Sequence, residues 1–209
     1  ILKIQNKALE LSMFLSLPAS IALIVASEEI VSALFGYGSL SEEAVINTAN
    51  ALYYFALGLP AFALIKVFSS FFFANHNTKT PFYISLVSVF INIIISVYYF
   101  KSIGFIIIPI ATTFSSWFNS LVLFLFLKNY NLFKFNKVFV VRFFKIIVAS
   151  VLMGLFFEFL ISLFENQLNY SYQFKSLFLL ASVLLGLIFY LMISFFIKAF
   201  KAEDVKLKY

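Results

Sequence analysis

The chain has no cysteine, one histidine, one arginine and one tryptophan, and only 11% of its 209 residues are charged. The absence of cysteine excludes disulfides and thiolate metal sites, and it fits any redox compartment. The single histidine, His76, has no second histidine or cysteine with which to build a metal site or a Ser-His relay. Gly36-x-Gly38 lacks the third glycine and the preceding strand of a dinucleotide fingerprint. No site for covalent chemistry emerges, so the chain is not read as an enzyme, and neither cofactor nor metal is expected.

What is present is apolar. Hydrophobic residues make up 63% of the chain, and its mean hydropathy is +1.03. Soluble domains are about half apolar and about a quarter charged. The composition therefore predicts an all-α polytopic membrane bundle. The basic residues are lysines apart from Arg142, and 31 phenylalanines accompany abundant isoleucine and asparagine. That bias suits AT-rich codons, and the phenylalanine excess reads as lipid-facing filler. The first residue is Ile1, and no basic stretch with a cleavage site precedes the first apolar run. The chain reads as part of a longer protein.

A helix needs about 20 apolar residues to cross the hydrocarbon core. Six candidates span residues 9–26, 44–74, 82–100, 103–127, 140–164 and 176–197. The second is too long for one straight crossing, and Gly58 with Pro60 offers a kink. Pro18 and Pro109 are expected to bend the first and fourth spans.

Charge sets the orientation. Under strict alternation, twelve of the fifteen basic residues fall on one set of flanks. Lys101 and Lys175 fall on the other, and Lys66 lies within a span. Basic residues accumulate on the cytoplasmic side, so both ends of this segment are expected there. The first outer connection carries Glu28, Glu29, Glu42 and Glu43 and no basic residue. Ile30, Val31, Leu34 and Phe35 form an apolar face opposite Glu28, Glu29 and Ser32, as in a short interfacial helix. Gly36 and Gly38 then turn the chain, and Ser39-x-x-Glu42 reads as a capping box for the second span.

Lys66 is the candidate functional residue. It lies about nine residues, roughly 13 Å, from the cytoplasmic end of its helix. A charge at that depth is by default a functional hypothesis. Two readings stand open. The ammonium can snorkel to the headgroups along its stem, or it can line a water-filled cavity with Ser69 and Ser70 and hold an anionic headgroup.

The other polar features have plainer readings. Glu158 suits snorkelling to the outer interface, and Glu10 suits an i, i+3 pair with Lys7. The loop KNYNLFKFNK over 128–137 interleaves basic and aromatic residues as nucleic-acid sites do. Between two spans it reads instead as a loop touching anionic lipid, at about 1 kcal/mol per lysine, and no nucleic-acid partner is expected. Ser150-x-x-x-Gly154 and Ser182-x-x-x-Gly186 fall near mid-membrane on the last two spans. Small residues at that spacing let helix backbones approach closely, and a packed hairpin follows.

Three stretches carry a family resemblance: LGLPAFALIKV around Lys66, the turn Thr78-Lys79-Thr80-Pro81, and the helix from Ile84 to Asn92. Together with LSLPASIALIVASEEIVSALFGYG and the Gly104–Trp117 stretch, the chain resembles the MurJ/MviN family of lipid II flippases. The resemblance is strongest from Leu15 to about Lys128. It implies four spans of the C-terminal lobe over 1–128, and a two-helix hairpin forming a lipid-tail groove over 129–209. It further implies a polyprenyl-linked saccharide substrate, membrane lipids and a missing N-terminal portion as partners, and the bacterial inner membrane as location. The chain departs from the family at Asn75-His76-Asn77, where members often read Arg-x-Asp. The headgroup-binding residues of the first lobe have no counterpart here, so this segment alone is not expected to translocate substrate. An exporter of another polyprenyl-linked oligosaccharide or a drug, and a non-transporting membrane scaffold, are the competing readings.

Overall fold

The computed structural model describes residues 2–37 and 41–199. Among these, every regular element is helical. The helices are α1 (Leu2–Val25), α2 (Ser27–Phe35), α3 (Glu42–Ala74), α4 (Lys79–Ile103), α5 (Ile107–Asn129), α6 (Lys137–Leu163), α7 (Glu165–Leu168) and α8 (Lys175–Phe196). A 3-10 turn, Gly104–Ile106, separates α4 from α5.

Five continuous helical stretches are long and apolar enough to cross a membrane. One of them, Lys79–Asn129, runs to 51 residues, about twice what a crossing needs. Gly104 breaks it, at φ +76° and ψ −154°, a conformation that glycine alone adopts without strain. The helices on either side fold back antiparallel. Asn119 Nδ2 donates to Ser85 Oγ at 3.4 Å, and Asn92 Nδ2 donates to Thr112 Oγ1 at 3.0 Å. Seven residues forward on α4 thus answer seven residues back on α5. With that break, six helices among the described residues are of crossing length.

The chain divides into two compact units, residues 1–16 with 51–136 and residues 17–50 with 137–209. Helices α1 and α3 contribute to both. In the first unit, a polar seam joins α4 and α5. Asn92 also donates to Ser115 Oγ at 3.3 Å, and Ser96 Oγ donates to Asn92 Oδ1 at 3.3 Å. Hydrocarbon offers these groups no water, so they pair with each other. Asn6 fastens the 130–136 loop to α1. Its Nδ2 donates to the Lys134 carbonyl at 2.9 Å, and its Oδ1 accepts from the Asn136 amide at 3.0 Å. One of the three loop aromatics turns inward, while Tyr130 and Phe135 stay exposed. Phe133 is buried and stacks on Phe71, ring centroids 5.7 Å apart. Burying an aromatic ring contributes more than leaving it on a wet loop.

In the second unit, α6 and α8 run antiparallel, with Phe156 stacked on Phe189 at 4.1 Å. The short helix α2 forms as its pattern predicts, but it buries Val31, Ser32 and Ala33 and exposes Leu34 and Phe35. Ala33 packs with Leu168 and Leu179, and this contact rotates Ser32 inward from the polar face expected for it.

Local signals account for most helix ends. The expected cap Ser39 lies outside the described residues. Ser41 caps α3, accepting from the Ala44 amide at 3.2 Å. Asn77 caps α4, accepting from the Thr80 amide at 3.1 Å while its Nδ2 donates to Thr80 Oγ1 at 2.9 Å. Pro109 does not bend a span. It falls in the first turn of α5, where an amide has no intrahelical acceptor to lose. Lys7 and Glu10 form their ion pair at 2.9 Å.

Candidate functional site

Lys66 lies on α3, eight residues before Ala74, about 12 Å along the helix. Its side chain is exposed, and no hydrogen-bonding or ionic partner reaches it among the described residues. Ser70 and Phe73 share its exposed stripe at helical spacing, and Ser69 beside them is half-buried. The Ser70 hydroxyl donates to the Val67 carbonyl at 2.7 Å and keeps lone pairs free to accept. The stripe thus offers one unpartnered ammonium and two hydroxyls.

The Gly58–Pro60 step is held by α5. Pro60 lacks the amide that would donate to the Ala56 carbonyl, and its ring crowds the preceding turn, where two further carbonyls take donors from α5. Thr113 Oγ1 donates to the Tyr54 carbonyl at 2.6 Å, and Trp117 Nε1 donates to the Leu57 carbonyl at 3.0 Å. Neighbouring helices support broken spans in this manner. Gly58 makes the approach possible, because a Cβ there would stand 2.8 Å from Thr113 Oγ1. Helix α3 remains helical through the step.

In the second unit, Ser150 and Ser182 are fully buried. Their hydroxyls donate to Ile146 and Phe178 carbonyls at 2.8 and 2.9 Å. Ser150 also interacts with the buried Tyr190 of α8. Gly186 faces α6, with Phe157 Cδ2 at 3.4 Å from where its Cβ would be. Gly154 faces α1, where a Cβ would run into Ile21.

Two features of the second unit were not legible as sites. Lys175 is a flanking basic residue in the sequence, yet it is only 1% exposed. Its ammonium donates to the Gly36 carbonyl at 2.7 Å and the Tyr170 carbonyl at 2.6 Å. The rings of Tyr37 and Tyr170 each lie 4.6 Å from it, a cation–π arrangement. Tyr37 in turn donates to Ser176 Oγ at 3.1 Å. Tyr37, Tyr170 and Tyr172 stand in the two connections that meet at Lys175, which is the one hint the sequence carries.

The second feature is a cavity of about 390 Å³. Glu158, expected to snorkel, lines it together with Glu28, Glu29, Glu42 and Glu165. Burial holds the Glu29 carboxyl above its ordinary value of 4.5, a hydrogen bond from its own backbone opposes this, and the Glu28 charge adds to the rise.

Comparisons with known proteins agree with one another. The family model for the lipid II flippase MurJ matches residues 1–179. The probable lipid II flippase MurJ of Rickettsia prowazekii is 39% identical over 117 residues, which cover 56% of this chain and 23% of that protein. Its namesake in Rhizobium meliloti is 40% identical over 121 residues, 58% of this chain and 23% of the relative. That of Thermotoga maritima is 36% identical over 143 residues, 68% and 28%. A solved structure of the lipid II flippase MurJ, in an inward closed conformation, superposes with a TM-score of 0.74 at 26% identity. The match covers 93% of this chain and 38% of that one. The chain therefore spans about a quarter of the length of the curated relatives it matches.

Proposed function

The chain belongs to the lipid II flippase MurJ family, and on that premise we propose that it contributes six membrane crossings to a transporter of lipid-linked peptidoglycan precursor in the bacterial inner membrane. Residues 1–128 supply four spans of one lobe, and residues 129–209 supply a two-helix hairpin beside a groove for the lipid tail. Both ends of the segment face the cytoplasm, as the basic flanks favour. Such a protein moves its substrate without covalent chemistry. Two lobes rock about a central cavity, and the substrate shifts the population between outward and inward states through its differential affinity.

The observation that carries this reading is the Lys66 stripe. An ammonium about 12 Å along α3 from its end, with no partner of its own, costs free energy in lipid and little in a water-filled cavity. There it meets an anionic headgroup, with Ser69 and Ser70 supplying hydrogen bonds. Thr113 and Trp117 of α5, donating to the Tyr54 and Leu57 carbonyls, support the proline-containing helix that presents it.

Complementation of a flippase-depleted strain by the full-length protein tests the assignment. Lys66→Met should fail to restore growth at wild-type protein abundance, and Lys66→Arg should restore it in part. Normal growth with Lys66→Met at wild-type abundance would reduce Lys66 to a snorkelling anchor.

A further inference from the structure

We propose that the cavity bordered by α2, the start of α3, the end of α6 and α7 binds an organic polycation, an alkyl chain bearing two or more ammonium groups. The proposal is independent of the Lys66 site and of lipid transport.

Five carboxylates line this cavity, and no lysine, arginine or histidine lines it with them. Glu28, Glu29 and Glu42 have a local reason to be there. They occupy the first turns of α2 and α3, where the helix dipole favours an anion. Glu158 has no such reason, because it lies towards the C-terminal end of α6, where the dipole favours a cation. Among the described residues no basic side chain lines the cavity to answer this charge. The nearby ammonium of Lys175 is committed to the Gly36 and Tyr170 carbonyls.

A second, independent observation points to a ligand. Ser32 lines the cavity and is 4% exposed, yet its hydroxyl has no hydrogen-bond partner. Ser88, Ser150 and Ser182 return their proton to the carbonyl four residues back, whereas the Oγ of Ser32, like that of Ser16, finds no partner among the described residues. Of the two, Ser32 lines the acidic cavity, and a bound donor there would remove the cost of its unsatisfied oxygen.

The walls select the class of cation. Among the described residues, no three acidic or histidine side chains converge to hold a metal ion. The carboxylates are instead spread around a space whose volume falls within the range of small-molecule pockets. Val45, Ile161 and Leu168 form apolar wall between them. A hydrated ion gains nothing from that wall, whereas a polyamine lays methylenes against it and an ammonium at each carboxylate. Burial above all, and the Glu28 charge after it, raise the Glu29 carboxyl, and a bound cation would oppose that rise.

Spermidine is the probe. Calorimetric titration into the full-length protein, in nanodiscs of zwitterionic lipid, should show one saturable site. The isosteric double variant Glu42→Gln/Glu158→Gln should weaken binding by about tenfold or more, since it removes two charge-assisted contacts. Ser32→Ala should weaken it about threefold, and Glu43→Gln, outside the cavity, should leave it unchanged. An arm that does not depend on variants uses carbodiimide to couple spermidine to the wild-type protein. Adducts should then map to Glu28, Glu29, Glu42, Glu158 or Glu165. Three results would overturn the proposal: no saturable binding, equal competition by magnesium at matched ionic strength, or adducts scattered over other carboxylates.

Discussion

At Lys175 an ammonium is buried, and among the described residues its partners are two carbonyl dipoles and two ring faces. Removing it strands the buried Gly36 carbonyl and the part-buried Tyr170 carbonyl, whose desolvation is no longer offset. Lys175→Met should therefore destabilise the protein by about 2–4 kcal/mol. Thermal denaturation in detergent, followed by size exclusion, should show the lower midpoint, and an unchanged midpoint would mean the clasp contributes nothing. Glu29 gives a prediction of opposite sign. Its raised carboxyl means that the folded chain binds more protons than the unfolded one from about pH 4.5 upwards to the raised value. Stability is thus lost as pH rises through that window. Glu29→Gln should melt above wild type at pH 7, and the difference should close as the pH falls below 4.5. A difference that persists at low pH would assign the effect to packing instead.

For the helices as elements, glycine marks where backbones touch, but the partner differs from site to site. Gly58 admits Thr113 of α5, Gly154 admits Ile21 of α1, and Gly186 borders Phe157 of α6. The consequences of adding one methyl differ accordingly. Gly154→Ala forces the branched Ile21 side chain aside and should cost about 1–3 kcal/mol. Gly186→Ala places its methyl in ordinary contact, 3.4 Å from Phe157 Cδ2. It also gains helix propensity, so its effect should be within about 1 kcal/mol of zero or stabilising. Paired thermal melts check the ranking, and equal losses would show that both glycines serve the same interface. The motif spacing on α6 and α8 was plain in the sequence. Which neighbour each small residue admits was not, because spacing along one helix carries no information on the azimuth of the others.

For the molecule as a whole, the open question is orientation. The twelve-to-two division of basic flanks predicts that the 130–136 loop is cytoplasmic and the 169–174 connection external. Single cysteines at Asn131 and Gln173, both exposed, report this directly in the full-length protein. An impermeant maleimide applied to intact cells should label Gln173→Cys and spare Asn131→Cys. The reverse pattern would invert the whole segment.

The sequence by itself determined the class of the protein and the positions of its helices. Bilayer thickness and apolar run length are local constraints that act whatever surrounds them, although Pro109, expected to bend a span, instead falls in the first turn of one. Even the short α2 and the Lys7–Glu10 pair followed from spacing within one helix. Only the tertiary structure decided which side chains look inward. Ser32 turned towards a cavity because Ala33 packs on Leu168 and Leu179, more than 130 residues away. Phe133 went inside because Asn6 fastens its loop across a similar separation. Lys175 became a clasp because Gly36 and Tyr170 bring carbonyls to it from two connections. In a chain where most residues are apolar, hydrophobicity no longer distinguishes the buried face of a helix from the lipid-facing one. Packing and the pairing of the few polar groups then make that choice, and both depend on neighbours remote in sequence.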